Sequence, residues 1–176
     1  MKTPPRIALI GFMGSGKSTV GSILARKLGY RFVDLDSEVE NKAGQRIADI
    51  FKNQGEPAFR ALEAECLRAV ADSAGIVIAA GGGTPLQNAN RIFFQVSAST
   101  FFLQTTLETA LSRAGSDDSR PLLAQEPAEV KRLFESRAET YLGLGRAVNT
   151  EGKTPIEIAE SIMEALSATT NTRDPG

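Results

Sequence analysis

Histidine is absent from this chain, and cysteine occurs once, at Cys66. Without histidine there is no Ser-His-Asp triad, no imidazole acid–base catalyst and no His-ligated metal. A single cysteine forms no intrachain disulfide and offers no zinc-binding spacing. Charge of one sign is missing too: 20 Lys and Arg stand against 21 Asp and Glu, a formal net charge of −1. No whole-molecule field therefore draws in nucleic acid or an anionic membrane, and neither is expected as a partner. Long apolar runs are also lacking. Met1–Arg6 leads into only four apolar residues, Ile7–Ile10, before Gly11, which is short for a secretory signal. No stretch approaches the ~18 apolar residues of a spanning helix. With the unpaired cysteine, these features make a cytoplasmic location the expectation. What remains is chemistry by carboxylates, lysine, arginine, backbone amides and a bound cation. The 176 residues, 41% hydrophobic and 23% charged, have the composition of one globular domain with its own core.

The patterning alternates between strand and helix. Ile7–Ile10 is an apolar run between Pro5 and Gly11, the mark of a buried parallel strand. Val20, Ile23, Leu24 and Leu28 then recur at helical spacing, with Gly29 where a C-terminal cap belongs. Phe32-Val33 reads as a second strand ending in Asp34 and Asp36, and 37–72 as helices interrupted at Gly44 and at Gly55-Glu56-Pro57. A third strand, Ile76–Ala80, runs into Gly81-Gly82-Gly83. Helix over Arg91–Gln95, strand over Thr100–Leu103 and helix over Thr106–Arg113 follow. The polar run Gly115–Ser119 reads as a mobile loop, Pro127–Tyr141 as a helix, and Ile158, Ala159, Ile162, Met163 and Leu166 as the apolar face of a last one. This order predicts a three-layer α/β domain with a mainly parallel sheet over residues 1–168, and a frayed tail over 169–176.

Between the first strand and the first helix lies Gly11-Phe12-Met13-Gly14-Ser15-Gly16-Lys17-Ser18, which matches the phosphate-loop pattern G-x-x-x-x-G-K-[ST]. Glycine lets successive N–H groups turn onto phosphate oxygens, and the following helix aims its positive end at the same point. Lys17 can bridge β- and γ-phosphates, and the Ser18 hydroxyl can ligate Mg²⁺. The pattern predicts a nucleoside triphosphate site. No Asn-Lys-x-Asp guanine-reading segment accompanies it.

Other residues are ambiguous singly. Asp34 and Asp36 can serve a metal's water shell and a substrate hydroxyl, or merely cap the next helix. The glycine triplet can let a ligand approach the backbone, or only turn it. Arg60, Arg120 and Arg137 can each be a solvated surface charge.

In this order, however, the segments GFMGSGKSTVG, FVDLD, IADIF, GEPAFRALE, GGG, SRPLL and SRAETY resemble the shikimate kinase family, P-loop small-molecule kinases related to the nucleoside monophosphate kinases. The likeness runs from about Ile7 to Leu166. It implies a doubly wound, five-stranded parallel sheet, a helical substrate-binding insert over about 34–62 and a lid over about 114–125. It further implies that Gly14, Ser15, Gly16, Lys17, Ser18 and Thr19 hold the phosphates of ATP, with Arg113, Arg120 and Lys153 also on the nucleotide. Ser18 and Asp34 would serve Mg²⁺. Asp36, Arg60, Gly82, Gly83 and Arg137 would bind shikimate, with Lys17, Asp36 and Arg120 catalytic. The implied reaction is phosphorylation of the shikimate 3-hydroxyl by ATP, in a monomer. Two departures stand out. Asn149-Thr150 and Lys153 occupy a segment where the family usually has an Asp-Thr pair and often an arginine near the adenine. The third strand ends in Ala79-Ala80, without a Walker B aspartate. A gluconate kinase shares the phosphate loop but has no need of paired arginines beside a glycine triplet. A nucleotide sensor without turnover has no need of Asp34, Asp36 and Arg120.

Overall fold

The computed structural model describes residues 5–114 and 126–171. Five parallel strands form its sheet: β1 (Arg6–Ile10), β2 (Arg31–Asp34), β3 (Ile76–Ala79), β4 (Ser99–Gln104) and β5 (Arg146–Asn149), in the order β2-β3-β1-β4-β5. Central β1 pairs Leu9 with Ala79 on one side and with Phe101 on the other. Successive strand side chains point to opposite faces, so β1 divides its apolar residues between two cores. Ile7 and Leu9 pack with Val20 and Leu24 of α1 (Lys17–Leu28) and with Ile158 and Ile162 of α7 (Pro155–Asn171). Ala8 and Ile10 pack with Phe59 and Leu67 of α3 (Ile47–Ala71) and with Tyr141 of α6 (Pro127–Leu144). Both faces are covered, which is why the strand reads as an unbroken apolar run. Full burial of Ile7, Leu9 and Ile10 stabilises the fold by about 1.5–3 kcal/mol for each side chain. No helix of the described residues is long and apolar enough to cross a membrane.

The helical interruptions fall where expected. Gly29 closes α1 and Gly44 closes α2 (Leu35–Ala43), both left-handed. In α3 the backbone leaves helical geometry at Gly55 (φ 82°, ψ 171°), two residues before Pro57, and this bend lets one long segment line a pocket along two directions. Glu40 of α2 ties the pair together: its Oε1 accepts the Ile47 N–H at 2.9 Å, the first amide of α3.

One sequence expectation is corrected, and one strand that the residue pattern did not show is added. β2 stops at Asp34, whose carboxylate accepts the N–H groups of Asp36 (3.1 Å) and Ser37 (3.3 Å) and so caps α2. Asp36 therefore projects from a helix, not from a continued strand. Arg91–Gln95 is helical as expected, the short helix α4 (Asn88–Ile92) passing into a wider π-type turn over Phe93–Ser97. β5 was not visible in the residue pattern, because this edge strand buries only Val148. The last helix, α7, runs through Asn171. Ala114 is still helical, the last residue of α5 (Leu107–Ala114). The expected lid beyond it, with Arg120, lies outside the described residues, as does 172–176.

The turn after β5 is fastened to the start of α5 by Glu151. Its carboxylate accepts the Thr106 N–H (2.8 Å) and the hydroxyls of Thr105 (2.8 Å) and Thr109 (3.0 Å). These bonds, the Thr106 N–H foremost, hold the Glu151 carboxyl below its usual 4.5. A carboxyl depressed in the folded state stabilises fully above its unfolded pKa and loses that contribution as pH falls through the folded one. The stability difference between the protein and Glu151→Gln, read by urea unfolding, is therefore expected to be constant near neutrality and to shrink as pH drops below 4.5. A pH-independent difference would show that the carboxylate charge does not fasten this turn.

Candidate active site

The carboxyl ends of β1, β2 and β3 open into one cleft of about 670 Å³. Ligands of doubly wound sheets bind at this end. The phosphate loop forms one wall. Gly14 and Gly16 have φ of 75° and 93°, values that other residues rarely adopt. At Gly14 a Cβ would also collide with the Ala110 carbonyl of α5, so the loop can pass beneath that helix only as glycine. Gly16 is the N-cap of α1 and brings no side chain, leaving the first amides of the helix directed at the cleft. Lys17 Nζ lies 2.9 Å from both the Gly11 and Phe12 carbonyls. Ser15 is fully buried beneath the loop, its hydroxyl 3.5 Å from Lys17 Nζ. The Ser18 hydroxyl donates to Asp34 Oδ2, placing two hard oxygen donors side by side at the loop's end.

The glycine triplet forms the opposite wall, and the reason for its composition is steric. A Cβ on Gly81 would stand 2.6 Å from Asp36 Oδ1 and 2.9 Å from Glu63 Oε1. On Gly82 it would stand 3.2 Å from Arg137 Nη1, and on Gly83 it would enter the Arg60 guanidinium. Asp36, Arg60 and Arg137 thus converge on a stretch of bare backbone. Gly14, Gly16, Lys17, Ser18, Thr19, Asp34, Arg113 and the triplet share this cleft with them. Lys153 is not among its lining residues. It sits in the turn after β5, where its N–H donates to the Thr150 carbonyl at 3.3 Å.

Two residues absent from the sequence reading support the arginines. Glu63, fully buried, accepts Arg60 Nη1 at 2.9 Å and the Thr84 hydroxyl at 2.5 Å. Arg60 also donates Nε (3.2 Å) and Nη2 (3.0 Å) to Glu56 and lies over the Phe59 ring, 5.0 Å from its centroid. Burial lowers the Arg60 pKa, but the Glu63 and Glu56 carboxylates more than offset it, so the balance is upward. Arg137 differs. Only 6% exposed, it has its pKa lowered, chiefly by burial and further by the charge of Arg60, with partial relief from Tyr141. Tyr141 lies one turn along α6; burial pushes its phenol up to about 12. In the sequence Glu63 was marked by its spacing from Arg60 (i, i+3 on a helix) and by its place at the end of GEPAFRALE.

A phosphate loop facing a carboxylate and two guanidinium groups across one cleft, on a β2-β3-β1-β4-β5 parallel sheet, belongs to the P-loop kinases. The comparisons narrow this. The shikimate kinase family model matches residues 13–167. A shikimate kinase of Persephonella marina is 43% identical over 89% of this chain and 96% of its own length. The solved structure of the Acinetobacter baumannii shikimate kinase in complex with shikimate superposes with a TM-score of 0.91 at 34% identity, covering 96% of each chain. The chain belongs to the shikimate kinase family. A gluconokinase from Sinorhizobium meliloti shares the fold alone, with a TM-score of 0.57 at 18% identity.

Removing one member of a buried ion pair strands the other, at a cost of about 3–5 kcal/mol. Glu63→Ala is expected to lower the unfolding free energy by about 3 kcal/mol in urea denaturation, since Arg60 keeps some exposure and retains Glu56. A loss below about 1 kcal/mol would mean that Glu63 does not hold Arg60 in the folded protein.

Proposed function

We propose that the protein transfers the γ-phosphoryl group of ATP to the 3-hydroxyl of shikimate, giving shikimate 3-phosphate and ADP. The observation that carries this reading is Arg137. Its guanidinium is buried in the cleft wall, Nε has no hydrogen-bond partner and no carboxylate pairs with it among the described residues. A buried cation of this kind calls for an anion, and a planar carboxylate matches the guanidinium fork. The Arg60 guanidinium on the same cleft supplies a second contact.

In this reading Lys17 and the amides from Gly14 to Thr19 hold the phosphates. Ser18 and Asp34 suit Mg²⁺, an ion that takes few protein oxygens and keeps waters and phosphates for the rest. When bound, the ion neutralises developing phosphate charge. No group of three or more metal-ligating side chains occurs among the described residues, which fits a metal held with the nucleotide and not by the protein alone. Arg113, at the end of α5, meets the nucleotide. Gly82 and Gly83 let the acceptor ring lie against the backbone. Asp36 accepts the hydrogen bond of the reacting hydroxyl and takes its proton as the phosphoryl group arrives. Arg120, from the lid that the resemblance implies over about 114–125, would reach over the transferring group and exclude water by closing. The paired guanidinium groups, lacking any role with an uncharged acceptor, favour a carboxylate, and the family match over residues 13–167 favours shikimate over another hydroxy acid such as gluconate.

Release of ADP measured with shikimate, gluconate or no acceptor tests the assignment directly. Shikimate alone is expected to accelerate release. Arg60→Lys and Arg137→Lys are each expected to raise the shikimate KM by about tenfold or more through loss of a charge-assisted bidentate contact, with a smaller change in the ATP KM. Asp36→Asn should lower kcat by about 10² or more with Mg·ATP binding nearly intact. An unchanged shikimate KM in both arginine variants would contradict the substrate assignment.

A further inference from the structure

Tyr141 is the last residue of the SRAETY segment, four residues after Arg137 on α6, and so lies on the same helix face. It is 1% exposed and does not line the cleft. Its ring packs on Phe102 of β4 at 5.2 Å between centroids, which accounts for the ring but not for the hydroxyl. Burying a hydroxyl costs free energy unless it is satisfied. Here its one O–H is donated to the Gly82 carbonyl at 2.6 Å. The Arg137 guanidinium lies beside this oxygen, and the phenol as a neighbour favours the charged arginine. The backbone of Gly82 approaches the same two groups: a Cβ there would stand 3.2 Å from Arg137 Nη1 and 3.6 Å from Tyr141 Oη. One oxygen is therefore bonded to a carbonyl of the loop after β3 and sits next to a guanidinium of α6, elements that no covalent segment joins nearby.

We propose that Tyr141 is a positioning residue for the acceptor, its hydroxyl fixing the Gly82 backbone and the Arg137 guanidinium in one geometry on the carboxylate side of the cleft. The inference deepens the functional reading above and rests on it. A phenol suits the task because it donates once and accepts at the same atom, and because burial keeps it protonated. Phenylalanine would fill the same space, leaving the Gly82 carbonyl and Arg137 without their shared partner. The acceptor would then have to align these groups on binding, which weakens its complex, while the phosphate loop on the far wall is untouched.

The test is a double-mutant cycle on the full-length protein, with KM for both substrates and thermal melting recorded for every variant. Tyr141→Phe is expected to raise the shikimate KM about tenfold and to leave the ATP KM within about twofold. In an Arg137→Lys background, where the fork is already lost, adding Tyr141→Phe should raise the shikimate KM by less than about twofold. A purely structural role gives a different pattern: a lower melting temperature, with both KM values unchanged or both shifted equally. That pattern, or a further tenfold rise in the Arg137→Lys background, would overturn the inference while leaving the substrate assignment standing. Failure of the unmodified protein to release ADP on shikimate would overturn the assignment and this inference with it. Should Tyr141→Phe not fold, Tyr141→Met, which fills most of the ring volume without a donor, takes its place in the same cycle.

Discussion

Two guanidinium groups share one wall of the cleft, and their mutual repulsion is the constraint to which the surrounding structure responds. Arg60 depresses the pKa of Arg137, and burial depresses both. Each is compensated by different partners. Arg60 has two carboxylates, Glu63 beneath it and Glu56 beside it, while Arg137 has a phenol oxygen and the face of Phe12, 5.8 Å from the ring centroid. Glu63 in turn is held by the Thr84 hydroxyl, and the Thr84 carbonyl by Asn90. The glycine triplet follows from the same constraint, because three side chains at this strand end would occupy the space of Asp36, Arg137 and Arg60.

The asymmetry between the arginines gives them different parts in the proposed chemistry. Arg60 is largely neutralised by its own helix, so it contributes direction more than net charge. Arg137 retains uncompensated positive charge in a drier place, where an anion is attracted more strongly. The phosphate-binding wall is built on another principle, with backbone amides and a helix terminus in place of side-chain pairs. Separate construction lets the two substrates be recognised independently. Phosphoryl transfer, which depends chiefly on positioning and charge neutralisation, requires little more of the protein than holding these two walls at a fixed separation.

The phosphate loop was legible because its backbone is dictated locally, by glycines at positive φ and by the Lys17-Ser18 pair opening α1. Strand and helix alternation was legible because both sheet faces are buried, which makes Ile7–Ile10 of β1, all of β3 and Phe101–Leu103 of β4 unbroken apolar runs. Asp34 and Asp36 were ambiguous for a physical reason. Their roles depend on where β2 ends, and that is set by the capping bonds of Asp34, which join the two readings: this carboxylate both caps α2 and meets Ser18. β5 escaped notice because four residues with one buried position carry no periodicity. Glu63 and Tyr141 escaped because their importance lies in what surrounds them after folding. A glutamate in a helix reads as solvated and a tyrosine near an apolar face reads as core; only the packing of the triplet against them assigns them otherwise. Lys153, placed near the nucleotide by resemblance alone, lies in a segment that departs from the family's pattern, and the residues around it carry no independent signal for that role.

If the arginine wall exists to hold a carboxylate, the most direct measurement alters the ligand and leaves the protein untouched. Shikimate and its methyl ester, titrated calorimetrically into the protein saturated with Mg·ADP, differ in that charge and in one methyl group. The ester is expected to bind at least about 100-fold more weakly, the equivalent of losing charge-assisted bonds to both guanidinium groups. Binding of the ester within about threefold of shikimate would contradict the role assigned to Arg60 and Arg137.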